Sequence, residues 1–204
     1  MYLSRTPRVL QNLLTNYTWY IPTSEKVLYL TFDDGPIPEA TPWVLETLRK
    51  YGAKATFFCV GDNVRKHPAV FQQVLDEGHS VGNHTFNHLN GWKTDTFDYL
   101  KNVLQCGEMV SSTLFRPPYG SLKPSQTRKL KSRFRIVMWD VLSGDFDPNI
   151  SPEKCLQNVL DNVQPGSIIL FHDSLKAEER MRFALPRMLE KLTAEGWKFE
   201  RVEG

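Results

Sequence analysis

A chain of 204 residues fits one domain with ample length to bury a core, and 41% hydrophobic with 24% charged residues is an ordinary globular composition. A formal net charge of +2 gives no drive toward nucleic acid or a membrane surface, and no apolar run approaches a membrane span. Three cysteines, Cys59, Cys106 and Cys155, at wide and unrelated spacings argue against a disulfide framework or a cysteine zinc site and for reduced, buried thiols.

In chain order, the first twenty residues have neither an apolar stretch of signal-peptide length nor a small-residue cleavage site. The expectation is a cytoplasmic protein, or an exported one whose signal lies outside this chain. Residues 1–25 read as an N-terminal extension of a single domain covering 1–204. Residues 27–32 (VLYLTF) predict a strand that stops at the turn signal Asp33-Asp34-Gly35-Pro36. Residues 39–51 predict a helix with Trp43, Val44 and Leu48 on one face and Gly52 at its end. Residues 54–60 read as a strand. Asp62 is placed to cap a helical stretch whose Val70, Val74 and Leu75 share a face and which Gly78 closes.

The alternation continues with a strand at 79–83, a helix at 95–110, a strand at 114–116 and a helix at 124–131. The densest basic stretch, 123–135, holds six Lys or Arg with a single aromatic, Phe134, near its end and none spread through it, the pattern of a solvated helix face rather than a polyanion site. Residues 135–141 (RIVMWDV) predict a strong strand, and Ser151-Pro152 opens a helix running to 163. A strand at 167–171, a helix at 178–195 closed by Gly196 and a strand at 198–202 complete seven βα-type units without a composition break. Such alternation implies a mainly parallel sheet, either a barrel or an open doubly wound sheet.

The reactive residues gather just after these strands. Asp33 and Asp34 follow the first, His84 and His88 the third, Arg116 and Tyr119 the fourth, Asp145 the fifth, and His172 with Asp173 the sixth. A parallel barrel builds its site from all its C-terminal strand ends, whereas an open sheet does so only near a switch point, so five contributing strands favour a closed or nearly closed barrel. His84 and His88, spaced i, i+4, lie on one side of a helical turn and are disposed to share a metal. His67 and His79 have nothing comparable around them. Two histidines and a carboxylate leave open coordination positions, the arrangement of a catalytic site, and Asp34 is available as the third ligand. Read alone, Asp33-Asp34 is also an ordinary acidic turn. The stiff segment Arg116-Pro117-Pro118-Tyr119-Gly120 reads as a capping loop or as a mount for a backbone amide aimed at an oxyanion. His172 and Asp145, ordinary singly, together suit a histidine oriented and kept basic by a carboxylate.

Five stretches in this order, TFDDGP at 31–36, HTFNH at 84–88, RPPYG at 116–120, SGDF around Asp145 and LFHD at 170–173, resemble the polysaccharide deacetylases of carbohydrate esterase family 4, the NodB-homology domain. The resemblance spans 26–202 and implies a distorted (β/α)7 TIM-like barrel. It also implies a metal-dependent hydrolase that removes N-acetyl groups from an N-acetylglucosamine-type glycan or oligosaccharide. Its implied roles are Asp34, His84 and His88 as ligands of a divalent metal, zinc foremost with cobalt or nickel as variants. Asp33 would be the general base, paired to Arg116, and His172 the general acid, supported by Asp145. The Tyr119 amide would meet the oxyanion, and Leu170 would line the acetyl pocket. Phe146 stands where the family usually has Trp, which keeps an aromatic wall and removes an indole N–H. The expected partner is an acetylated carbohydrate, with no nucleic acid and no membrane span. The alternatives are an O-acetyl ester or non-sugar amide hydrolase on the same site, and a non-catalytic carbohydrate-binding protein on a retired barrel.

Overall fold

A computed structural model describes residues 3–204. Its centre is β1 (Val27–Asp33), flanked by parallel β2 (Thr56–Cys59) on one edge and β7 (Ile168–His172) on the other. Beyond β2 follow β3 (Ser80–Asn83), β4 (Leu114–Phe115) and β5 (Arg135–Ile136), and beyond β7 comes β6 (Val141–Leu142), every pairing parallel. A last short strand, β8 (Lys198–Glu200), pairs with the N-terminal half of β1. The result is the expected distorted (β/α)7 barrel: a curled parallel sheet with helices outside.

Alternation along β1 explains why one run of residues serves two layers. Leu28, Leu30 and Phe32 face outward and pack with Phe57, Phe171 and the helix residues Val44 and Leu48. Tyr29 faces inward to a smaller cluster of Phe58, Leu114, Val137, Ile168 and Val202. Thr31 and Asp33 share that inner parity, so the last residue of β1 enters the barrel mouth. Its register partner on β7 is His172.

The helices are α1 (Arg8–Leu13), α2 (Thr41–Lys50), α3 (Gly61–Lys66), α4 (Pro68–Asp76), α5 (Thr96–Met109), α6 (Pro124–Leu130), α7 (Pro152–Leu160) and α8 (Glu178–Ala194). Side chains start two of them: Asp95 accepts from Phe97 N and Ser151 from Lys154 N. Among the described residues no helix is long and apolar enough to cross a membrane. Cys59, Cys106 and Cys155 are buried free thiols.

Two predicted elements differ. The single helical stretch after Asp62 is two helices, because Pro68 has no N–H to continue α3 and His67 adopts φ −129° and ψ 54° between them. Asp62 lies inside the first turn rather than capping it, and Leu75 points to solvent while Val74 alone of the expected trio is fully buried. The strand expected at 135–141 is broken: β5 pairs with β4, β6 pairs with β7, and the chain between them crosses the barrel seam. The N-terminal residues seal that seam. Leu142 N donates to Ser4 O, Thr6 N to Asp140 O, Thr18 N to Ile136 O and Met138 N to Thr18 O.

Gly82 shows how closely β3 and β2 approach: a Cβ there would lie 2.4 Å from Phe58 Cδ1. Gly82→Ala is therefore expected to destabilise the chain by roughly 1–3 kcal/mol. Calorimetry would register this as a lower melting temperature, and an unaltered melt would disprove the close packing.

Candidate active site

The site begins with a buried charge pair. Arg116, directly after β4, is fully buried and donates from Nη1 to Asp33 Oδ1 (2.7 Å) and Thr31 Oγ1 (2.8 Å). Its Nε reaches Val137 O (3.1 Å) and its Nη2 reaches Met138 O (2.8 Å). Those two carbonyls belong to the seam between β5 and β6, so turning them toward the guanidinium accounts for the broken strand. The Phe58 ring lies 4.1 Å from the guanidinium carbon.

Beyond Asp33 the chain turns sharply. Asp34 has φ +85°, a conformation a non-glycine residue holds only when its surroundings impose it. Asn63 Nδ2 donates to Asp34 O (2.7 Å), and Asp173 braces the turn from below. Asp173 accepts from Gly35 N (3.1 Å) and Thr41 Oγ1 (2.5 Å), while its own N–H donates to Asp33 O (3.1 Å). Burial, with help from the Asp34 charge, pushes the Asp173 carboxyl up to about 8. The sequence pairs Asp173 with His172, but in the fold it serves the Asp33–Pro36 turn.

His84 and His88 stand on an irregular loop after β3, not on the helical turn their spacing suggests. Thr85 and His88 have φ +62° and +55°. Side chains from elsewhere hold the loop: Asn83 Oδ1 accepts from Thr85 N, and Asn102 Oδ1 on α5 accepts from both Phe86 N and Asn87 N. The result still brings both imidazoles to Asp34. His84 Nδ1 must carry the proton, because its partner at 2.8 Å is the Arg116 carbonyl, which only accepts. The lone pair of Nε2 therefore faces inward, 3.8 Å from Asp34 Oδ1 and 3.7 Å from Asp33 Oδ2. Burial lowers the His84 pKa to about 4, which keeps it neutral.

Ligand atoms of Asp34, His84 and His88 all lie within 4.8 Å of one another, and they form the one such cluster among the described residues. Asp34 Oδ1 sits 3.1 Å from His88 Nε2 without meeting hydrogen-bond geometry, and it is buried with no other partner. Burial raises the Asp34 carboxyl, but His88 and the charge of His172 outweigh it and hold the group well below the usual carboxylate range. An orphaned, ionised oxygen beside two histidines, one with its tautomer fixed by a carbonyl, fits a divalent cation.

Opposite stands His172. Asp145, fully buried, accepts from His172 N (2.7 Å) through one oxygen and bonds Nδ1 (2.8 Å) through the other. Burial alone would lower the imidazole pKa; the Asp145 charge overrides it and lifts the value to about 9. Arg180, absent from the sequence reading, fixes the Asp145 loop by donating from Nε to Asp145 O (2.7 Å). Tyr119 has φ +60°, its ring packs edge-on to His88 with centroids 4.7 Å apart, and the turn's closing bonds come from Gly120 N and Ser121 N.

A cavity of about 430 Å³ unites these parts. Asp33, Asp34, His84, His88, Tyr119, Phe146, Leu170 and His172 line it, joined by Trp139, Leu142, Ser174 and Lys176, which the motifs do not single out. Arg116 and Asp145 stand behind the lining as positioning groups.

Fold and site together define a barrel enzyme with a ligand-ready Asp/His/His set in one cavity with Asp33 and the Asp145-held His172. A family model for polysaccharide deacetylases matches residues 20–138, and the chain belongs to that family, carbohydrate esterase family 4. It is 36% identical to a peptidoglycan-N-acetylglucosamine deacetylase of Bacillus cereus, over 91% of this chain and 90% of the relative. It is also 36% identical to a chitooligosaccharide deacetylase of Azorhizobium caulinodans, over 78% and 79% of the two chains. The crystal structure of the Bc1960 peptidoglycan N-acetylglucosamine deacetylase superposes with a TM-score of 0.87 at 32% identity, covering 95% of this chain and 94% of that one.

The Asp145–His172 pair carries a pH signature. Because the folded pKa, about 9, exceeds the ordinary 6.5, the pair stabilises the fold fully below about pH 6.5 and loses that contribution as pH rises through 9. Asp145→Asn is expected to lower the His172 pKa by about one pH unit or more, read from the imidazole resonances in an NMR titration. An unmoved titration would show that Asp145 does not set it.

Proposed function

We propose that this chain hydrolyses the N-acetyl amide of an N-acetylglucosamine-type glycan or oligosaccharide, with Asp34, His84 and His88 holding a divalent metal. The observation that carries this reading is the ionised Asp34 oxygen, without a hydrogen-bond partner, beside two histidines, with Asp33 and His172 lining the same cavity. Zinc is the metal we favour, since two imidazoles and one carboxylate with open positions suit it. When bound, the metal would supply Lewis-acid polarisation of the acetyl carbonyl and a site for the attacking water.

The protein's own groups supply the rest. Asp33 Oδ1 is committed to Arg116, leaving Oδ2 toward the cavity to take the proton from water. The Tyr119 N–H takes no part in the bonds that close its turn, and on this reading it would stabilise the developing oxyanion. His172, charged at neutral pH, gives its Nε2 proton to the departing amine nitrogen while Asp145 retains Nδ1. Leu170 and Leu142 offer the apolar end of the cavity to the acetyl methyl, and Phe146 forms a wall for the sugar. The amide reading is favoured over ester cleavage by this charged His172, because an amine needs protonation to leave and an alkoxide needs it less.

Acetate release from N-acetylglucosamine oligomers tests the proposal. Asp33→Asn is expected to keep stoichiometric metal while turnover drops by roughly 10²–10⁴. His84→Ala is expected to lose both metal and turnover. Undiminished turnover in Asp33→Asn would overturn the assignment of the base.

A further inference from the structure

Every charged group lining the cavity has a neighbour of opposite or complementary chemistry except one cation. Asp33 is bonded to Arg116, Asp34 lies against His88, and His172 is bonded to Asp145. Lys176 is the one lysine or arginine lining the cavity among the described residues, and it takes part in no ion pair there. Its ammonium lies 5.9 Å from the Phe146 ring centroid, and Phe146 in turn meets His172 edge-on at 5.3 Å. One wall of the cavity therefore runs His172, Phe146, Lys176, from the proton donor outward to an unneutralised cation.

That placement is built into the fold. Arg180 on α8, itself buried, donates from Nε to Asp145 O (2.7 Å) and from Nη2 to Lys176 O (3.0 Å). One guanidinium thereby ties the loop that carries Phe146 to the loop that carries Lys176. Ala177 N closes a turn onto Ser174 O on the same segment. These bonds fix the lysine backbone beside the aromatic wall.

Resting on the deacetylase reading, we propose that Lys176 selects glycans that carry a carboxylate beside the acetamido group undergoing cleavage. A sugar ring standing on Phe146, with its nitrogen at His172, presents its next substituent or neighbouring residue to Lys176. A carboxylate there gains a charge-assisted contact that a neutral glycan lacks. The carboxylate has two sources: an acidic ether substituent on the same ring, or a uronic acid next in the chain. The contact is solvent-accessible, so its effect is modest, salt-sensitive and confined to binding.

The test compares three N-acetylated tetrasaccharides: neutral chitotetraose, an oligomer alternating with N-acetylmuramic acid, and a hyaluronan oligomer. Binding is measured by calorimetry, and KM and kcat by acetate release, at low and high salt. The wild-type protein is expected to favour a carboxylated oligomer over the neutral one by up to about fivefold in Kd and KM. Lys176→Ala is expected to erase that preference, Lys176→Arg to keep most of it and Lys176→Glu to invert it, with added salt weakening it in the wild type. The oligomer whose preference disappears identifies the source. An equal preference in wild type and Lys176→Ala, or equal weakening toward all three oligomers, would overturn the inference. Absence of acetate release from every oligomer, with the calorimetric preference intact, would sink the deacetylase reading alone.

Discussion

A guanidinium without access to water sits at the centre of this barrel, and much else depends on how it is accommodated. Moving a charge of this kind out of water costs several kcal/mol, and the cost is offset only where its donors meet acceptors and its charge meets an opposite one. Arg116 meets Asp33, Thr31 and the carbonyls of Val137 and Met138. Removing either member of the pair alone leaves a buried charge unpaired, a loss of about 3–5 kcal/mol. The same four bonds tie β1, the end of β4 and the seam between β5 and β6. Even the Arg116 carbonyl is used, since it fixes the tautomer of His84.

From that anchor the site becomes a graded set of ionisable groups on adjoining strand ends. Asp33 and His172 are register neighbours on β1 and β7, yet they are held by groups of opposite charge, Arg116 and Asp145. Asp145 holds His172 as a proton donor through neutral pH, while Arg116 orients the Asp33 carboxylate in the same pocket. Asp173 is buried and pushed up by the same surroundings, yet it faces the Asp33–Pro36 turn and shapes backbone.

Much of this was legible in the sequence where local pattern and outcome share a cause. Alternation in residues 27–32 sends Asp33 inward, and the turn signal after it puts Asp34 beside it in a second orientation. Convergence of residues from five strand ends on one mouth followed from parallel topology alone. What the sequence did not disclose came from distant partners. The run RIVMWDV looks like one strand because its apolar pattern is unbroken; the break comes from an arginine about twenty positions earlier. The histidine pair has helical spacing, yet Asn102 on α5 draws its loop into another conformation that serves the same end. Residues 4–6 and 18 carry no motif, but they complete the hydrogen bonding of the seam. Lys176 and Arg180 act through a bridge between two loops that no local pattern encodes.

The proposed chemistry turns on a divalent cation at Asp34, His84 and His88 acting with Asp33 and His172 on an acetamido sugar. The most direct measurement strips the protein with a chelator, titrates zinc back and follows acetate release from chitotetraose. Release is expected to vanish in the stripped protein and to recover fully at one metal per chain. Undiminished release from the stripped protein would contradict the metal-centred site.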